Sequence, residues 1–155
     1  MFKRRKIMEI RKIDFEKIDK ALELTWKTFL EYEAPDYSQE GIDEFKKTID
    51  DEQWLSAREF YGAYEDDELL GLIATKDKSH IALFFVDGKH HRKGIGRKLF
   101  EKAVEKNDKD YFTVNSSPYA KEVYEHLGFE CTNDLQCING LKFYPMSMKV
   151  KRLTR

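Results

Sequence analysis

The residues whose spacing most directly suggests chemistry are two glycines in a basic stretch, Gly94 and Gly96. They follow the apolar run 81–86, which is typical of a buried strand, and open a segment whose apolar residues have helical spacing. Glycine lets the backbone approach a ligand closely. The first N–H groups of a helix have no partner within the helix and carry partial positive charge. Side-chain cations flank the turn: Arg92, Lys93, Arg97 and Lys98. The stretch therefore predicts an anion cradle suited to a pyrophosphate.

Two common phosphate-binding loops fit this stretch poorly. A P-loop ends in Gly-Lys followed by Ser or Thr, whereas Gly96 is followed by Arg97 and Lys98. A dinucleotide-binding fingerprint needs a third glycine, which is absent. A nucleotide-phosphate binder is therefore the weaker interpretation, and a solvated basic turn without a ligand is the structural alternative.

A second group of candidate residues lies downstream, at the end of a predicted strand and on the helix that follows it. Asn115 ends the strand, Ala120 and Tyr124 lie on the helix, and a Leu-Gly-Phe sequence at 127–129 ends that helix. In this order, the basic glycine turn and the downstream group resemble motifs A and B of the GNAT acetyltransferase superfamily.

The resemblance covers most of the chain. Motif A of that family reads Gln/Arg-x-x-Gly-x-Gly/Ala, so Gly94 and Gly96 match, while His91 stands at the Gln/Arg position. The C-terminal Asn139-Gly140 with the following 144–146 sequence Tyr-Pro-Met also resembles many small bacterial members. The predicted element order agrees with the family over residues 8–150.

The resemblance implies acetyl-CoA as co-substrate, an amine as acceptor, and no metal. It implies that the backbone of residues 84–86 pairs with the pantetheine arm like an added strand, and that residues 92–97 hold the pyrophosphate. Asn115 would lie at the mouth of the opening between the central strands. The implied cofactor-binding residues are Phe84, Phe85, Val86, His91, Arg92, Lys93, Gly94, Ile95, Gly96, Arg97, Asn115 and Ala120.

Acetyl transfer to an amine needs an oxyanion stabiliser, an acid and a base. Strand N–H groups near Phe85 and Val86 can stabilise the oxyanion. Tyr124 matches the general acid of the family by position, and a packing role on an apolar helix face is its alternative. An ammonium acceptor must lose a proton before it attacks; His80 and Glu33 are the candidates for the base, and His80 is equally typical of a strand-edge residue.

The acceptor is expected to bind between the first two helices, in residues 26–51, and at the last hairpin. Acidic residues in that region favour a cationic acceptor such as a polyamine, an amino sugar or a lysine side chain; they are Glu31, Glu33, Asp36 and Glu40. A solvated acidic loop is the alternative. A non-catalytic CoA-binding sensor or interaction module with the same fold is the alternative to an enzyme.

The remaining pattern predicts the elements that position these residues, in the order β-α-α-β-β-β-α-β-α-β-β. Asp14 and Ser38 are expected to cap the first two helices, Pro35 to end the first, and Ser117 with Pro118 to begin the last. Asn139-Gly140 is a strong hairpin signal between strands 129–138 and 141–148. The order predicts an α/β (α+β) fold with a mixed sheet and helices on both faces. The resemblance implies a mostly antiparallel sheet of about six or seven strands, splayed at the centre.

Composition limits the class of protein. The 155 residues fit a single domain, 1–155, in which residues 1–7 form a basic extension outside the core. The net charge of −1 argues against a nucleic-acid partner, and the longest apolar run, 81–86, is too short to cross a membrane. Cys131 and Cys137 lack the partners of a metal site and are expected to stay reduced. We therefore expect a cytoplasmic monomer or homodimer.

Overall fold

The computed structural model of the chain describes residues 7–91 and 93–150. The strands are β1 (Met8–Ile13), β2 (Glu59–Glu65), β3 (Glu68–Lys76), β4 (His80–Val86), β5 (Tyr111–Ser116), β6 (Glu130–Cys131), β7 (Gln136–Ile138) and β8 (Leu141–Lys149). The helices are α1 (Asp19–Thr28), α2 (Gln39–Ile49), α3 (Glu52–Ser56), α4 (Ile95–Lys106) and α5 (Lys121–Leu127). The predicted order therefore gains the short helix α3 and a break that divides the strand expected at 129–138. The predicted extension lies outside the described residues except for Ile7, whose side chain is exposed.

One sheet runs through the molecule in the order β1-β2-β3-β4-β5-β8-β6, and β7 also pairs with β8. Neighbouring strands are antiparallel except β4 and β5. Successive residues of β3 point to opposite faces: Ile73 belongs to the core beneath α4, whereas Leu72 and Ala74 belong to the core beneath α1. The predicted mixed, mostly antiparallel sheet with helices on both faces is confirmed.

The central strands separate after a very short parallel pairing. β4 and β5 are paired at His80 with Thr113 and at Ile81 with Val114. Directly after these pairs, Ala82 bulges out of the register between β4 and β3. A bulge bends the strand and increases its twist. β4 then follows β3 while β5 follows β8, so the predicted splay at the centre of the sheet is confirmed.

The start of α2 agrees with its predicted cap, whereas both ends of α1 differ from the predictions. Ser38 caps α2 as predicted, because its Oγ accepts a hydrogen bond from a first-turn N–H at 3.4 Å. Asp14 makes no side-chain cap; it precedes a 3₁₀ turn, and α1 begins only at Asp19. The helix also does not continue regularly to Pro35, since a wider π-helical turn, Phe29–Glu33, follows α1.

The approach to α5 differs from the prediction in a similar way. Ser117 does not cap the helix itself; its Oγ accepts a hydrogen bond from the N–H of Ala120 at 3.2 Å and closes a separate turn. The helix then begins at Lys121. Gly128, with φ of 111°, ends it in the left-handed conformation, as predicted.

The β7–β8 hairpin packs backbone to backbone against the start of α2. Its turn residues, Asn139 and Gly140, both have positive φ, which confirms the predicted hairpin turn. A Cβ on Gly41, in the first turn of α2, would lie 2.3 Å from the carbonyl oxygen of Gly140. There is therefore no room for a side chain between helix and hairpin.

Replacing Gly41 by alanine is expected to destabilise the fold, because the new methyl group must displace the Gly140 carbonyl. Overpacking of this kind costs about 1–3 kcal/mol, measurable by urea unfolding. Gly96→Ala is the matched control, since Gly96 also lies in the first turn of a helix, but the nearest atom to its Cβ would be 3.6 Å away. The control should be as stable as the wild type. Equal stability of the two variants would contradict the close contact.

Candidate active site

The divergence of β4 and β5 opens a cavity of about 290 Å³, which we call the splay cavity. Residues 81–85 of β4 and 114–117 at the end of β5 line it. The π-helical turn, α2 and α3 contribute further walls, Tyr124 lines it from α5, and the β7–β8 hairpin closes it. The cavity thus joins parts of the chain that are far apart in sequence.

The predicted site residues fall into two groups around this cavity. Phe84, Phe85, Asn115 and Ala120 line it directly. The glycine turn adjoins it, because a Cβ on Gly96 would lie 3.6 Å from the Phe84 ring. The structure therefore brings the two sequence motifs together on one opening.

The glycine turn has an open outer face. Gly94 has φ of 79°, a conformation that favours glycine, and no described atom lies within 4 Å of the position of its missing Cβ. The Gly94 carbonyl accepts the first intrahelical hydrogen bond, from Lys98 N–H at 3.1 Å. The intervening N–H groups have no partner within the helix. Lys93 and Arg97 are exposed beside them, the Ile95 side chain is buried beneath, and Arg92 lies outside the described residues.

His91 folds back onto the end of β4. Its Nε2–H donates a hydrogen bond to the Val86 carbonyl at 2.9 Å. The imidazole packs against the ring of Tyr32, with centroids 5.0 Å apart, and Tyr32 in turn contacts Tyr119 at 5.5 Å. These contacts connect the end of β4 with the turn before α5. Sequence patterns did not single out Tyr32, which lies in the irregular π-helical turn.

Tyr124 is buried on α5 and packs against Phe129 and Phe84, with ring centroids 5.4 Å and 6.1 Å apart. Burial raises the pKa of its phenol well above the ordinary value, and the charge of Glu33 raises it further. The hydroxyl therefore stays protonated over the working pH range. The sequence pattern also predicts that Val123 shares the apolar face of Tyr124, but its side chain is 52% exposed, so that prediction is wrong.

Glu33 ends the π-helical turn and lines the splay cavity. Burial raises the pKa of its carboxyl to about 7, a hydrogen bond with Ser117 lowers it, and the charge of Asp36 raises it. A group with this pKa exchanges protons readily near neutral pH. Glu33 and Tyr124 thus line one cavity with different protonation behaviour.

His80, the other candidate base, does not line the splay cavity. It lies at the closed end of the splay, where its Nδ1 is hydrogen-bonded to Thr113 Oγ1 at 2.7 Å. Burial lowers its pKa, and the charges of Arg58 and Lys76 lower it further. The environment of His80 therefore favours the interpretation of a strand-edge residue.

Aromatic side chains form the wall of the cavity that lies towards α2. Phe29 stacks on Phe45 with centroids 4.0 Å apart and on Tyr37 at 5.7 Å. The Tyr37 hydroxyl donates a hydrogen bond to the Lys142 carbonyl at 3.1 Å, which fastens the hairpin to this wall. Trp54 joins the wall from α3, a helix of five residues that is too short to show a clear period.

The part of the chain that the structure describes holds no group of three or more His, Cys, Asp or Glu side chains arranged to bind a metal ion. No helix in it is both long and apolar enough to span a membrane.

A family profile described as an acetyltransferase (GNAT) domain matches residues 33–150. No protein of curated function matches the chain in sequence. Among solved structures, the chain is similar to a GCN5-related N-acetyltransferase (aminotransferase, class-II) from Rhodopseudomonas palustris. That pair has 20% identity and a TM-score of 0.78, with 92% of this chain and 95% of the other covered.

Two structures solved with coenzyme A are also similar to the chain. PaiA N-acetyltransferase from Thermoplasma acidophilum has 21% identity and a TM-score of 0.71, covering 92% of this chain and 99% of its own. An aminoglycoside 6'-N-acetyltransferase has 13% identity and a TM-score of 0.62, covering 95% and 99%. At these identities the similarity establishes the fold.

The raised pKa of Glu33 predicts a pH-dependent stability difference between the wild type and Glu33→Gln. The folded carboxyl holds its proton up to about pH 7, whereas the ordinary value is 4.5. The stability that this group contributes is therefore full below about pH 4.5 and is lost as the pH rises through 7. Relative to the variant, the wild type should lose on the order of 2 kcal/mol between pH 5 and 8. Urea unfolding at both pH values measures this loss, and a difference independent of pH would contradict the burial of the carboxyl.

Proposed function

The chain belongs to the acetyltransferase (GNAT) family and is an acetyl-CoA-dependent N-acetyltransferase, and we propose that it acetylates a primary amine by direct attack in a ternary complex. One observation supports this most strongly: an open helix N-terminus adjoins a cavity that Glu33 and Tyr124 both line. An anion cradle, an acid and a base are the groups that the reaction requires.

In this proposal, the acetyl-CoA co-substrate binds along β4 and over the glycine turn. Asp87 N–H donates to the Leu70 carbonyl of β3, and His91 bonds the Val86 carbonyl from the other side. Backbone N–H and C=O groups point to alternate sides along a strand. Those of Phe84 and Val86 therefore point into the splay, while those of Phe85 point towards β3. We assign the pantetheine arm to this free edge, which refines the expectation for residues 84–86.

The pyrophosphate is assigned to the N–H groups of Ile95, Gly96 and Arg97. Lys93 adds full positive charge beside them, Arg92 precedes it in the sequence, and Gly94 gives the turn its left-handed conformation. A Cβ at Gly96 would make only ordinary contacts within the protein, so packing does not explain the glycine, whereas close approach of a ligand does.

The remaining residues that we assign to acetyl-CoA lie between the edge of β4 and α5. His91 is a proposed cofactor contact between the pantetheine edge and the pyrophosphate turn. Asn115 and Ala120 line the opposite side of the splay cavity and are assigned to the pantetheine arm. The coenzyme A bound to two similar structures supports this assignment.

The proposed reaction balances with residues of this chain alone. Glu33 takes a proton from the acceptor ammonium, and the free amine attacks the thioester carbonyl. The C–N bond forms, the C–S bond breaks, and the departing thiolate takes the proton of Tyr124. The Val86 N–H on the free edge of β4 is assigned to the oxyanion. Once the C–N bond has formed, the nitrogen loses its second proton, which restores the Tyr124 hydroxyl, and Glu33 releases its proton to solvent. The products are the N-acetyl amine, coenzyme A thiol and one released proton.

We also propose a cytoplasmic location and a small-molecule or peptide amine as acceptor. Both cysteines are exposed and free, as is usual for proteins in a reducing compartment. A monomer or homodimer remains the proposed assembly.

The cradle is tested by replacing Gly96 with valine. The branched side chain should keep the pyrophosphate from the N–H groups, so isothermal titration should show the affinity for acetyl-CoA falling at least about tenfold, or about 1.4 kcal/mol. Glu101→Val, an exposed position on the same helix, is the control for the helix propensity of valine and should bind as the wild type does. A folded Gly96→Val variant with unchanged affinity would exclude the assignment.

The role of Tyr124 is tested by Tyr124→Phe, which removes only the hydroxyl and keeps the ring contacts with Phe129 and Phe84. The kcat should fall by about 10²-fold, within the usual range for lost acid catalysis. The Kd of acetyl-CoA and the melting temperature should change little. If kcat is unchanged on the best amine of a panel, water protonates the thiolate and Tyr124 is a packing residue.

A further inference from the structure

Resting on the proposed function, we propose that the acceptor is a short aliphatic diamine or polyamine, whose second ammonium group binds Glu44. Glu44 and Glu33 line the same splay cavity from different elements, α2 and the π-helical turn. Glu33 serves the reacting nitrogen, so Glu44 is the carboxylate left for a second charge. This goes beyond amine acetylation, because it divides two carboxylates between two nitrogens of one substrate.

Within the described part of the protein, no ion pair includes Glu33 or Glu44, although Lys46, on the same helix as Glu44, pairs with Asp50. Lys142 is the cation that lines the cavity; its side chain is exposed and its carbonyl is what Tyr37 binds. A half-buried carboxylate beside apolar walls is favourable when a bound cation compensates its charge.

The walls suit methylene groups and ammonium ions. Phe29, Phe45 and Trp54 line the same cavity as Glu44, and aromatic faces attract cations. Trp54 already accepts the Arg58 guanidinium on its ring, at 3.8 Å. The hydroxyl groups of Tyr37 and Thr48 on this wall already donate hydrogen bonds to the backbone carbonyls of Lys142 and Glu44. An unsubstituted alkyl chain therefore fits better than a polyhydroxylated amino sugar. A volume of about 290 Å³ is at the small end for ligand pockets and favours a short chain.

The experiment compares two acceptors that differ by one terminal ammonium group, pentylamine and cadaverine. The wild type, Glu44→Gln and Glu33→Gln are assayed with acetyl-CoA by detection of the released thiol. The wild type should use cadaverine with a kcat/KM at least about tenfold higher than that for pentylamine. Glu44→Gln should remove this preference by raising the KM of cadaverine, with its kcat and the kinetics of pentylamine little changed.

Glu33→Gln is the matched control, because it removes the other carboxylate of the same cavity. It should lower kcat for both amines and keep the preference for cadaverine. Equal use of both amines by the wild type, or a preference that survives Glu44→Gln, would overturn the diamine proposal and leave amine acetylation standing. Failure of the wild type to acetylate any amine while it binds acetyl-CoA would instead overturn the proposed function, and the diamine proposal with it. Unchanged acetyl-CoA affinity verifies that each variant is folded.

Discussion

The rest of the structure depends on the brevity of the parallel pairing between β4 and β5. The two strands share two residue pairs, after which each keeps only its outer neighbour. Backbone N–H and C=O groups require partners, so the inner edges are stable only where water, a side chain or an extended ligand reaches them. His91 meets this need at Val86. In the proposed function, the pantetheine arm, which has amide groups along a thin chain, meets this need along the rest of the edge. The bulge at Ala82 interrupts the continuous sheet and would thereby create the place for one more strand.

The same opening determines the electrostatics of Glu33 and Tyr124. Burial raises the pKa of both groups, but their ordinary values differ, so the outcomes differ as well. The pKa of the carboxyl is raised to about 7, so this group can gain and lose a proton at neutral pH. The pKa of the phenol moves further above neutral pH, so the hydroxyl remains a proton donor. One low-dielectric cavity thus provides two proton-transfer groups with opposite tasks in the proposed reaction.

The half of the candidate site that we assign to acetyl-CoA, here called the donor half, could be predicted because the residues that determine it are close together in sequence. Gly94, Gly96, Asn115 and Tyr124 lie in one continuous stretch, and each has a turn or helix position with a known physical preference. The acceptor half is assembled from segments distant in sequence. In the sequence, nothing distinguishes Glu44 from the other carboxylates, because its place at the cavity depends on the packing of α2 against the hairpin. Tyr32 and Trp54 lie in a π-helical turn and a five-residue helix, which are too short or irregular for periodicity to predict them. The predicted helix starts at Asp14 and Ser117 are wrong because each residue precedes an extra turn that separates it from the helix.

The backbone contact between Gly41 and Gly140 has a consequence for how the acceptor half can change. The first turn of α2 and the tip of the hairpin fit each other without intervening side chains, and Tyr37 fastens the same hairpin through the Lys142 carbonyl. A hairpin grafted from a relative with a bulkier tip would therefore not fit this helix, and a helix with a larger residue at position 41 would not accept this hairpin. Across related chains, the two positions should vary together. When segments are exchanged between related chains, the helix and the hairpin must therefore be exchanged together, although they are far apart in sequence. The donor half of the site can be kept unchanged in such an exchange.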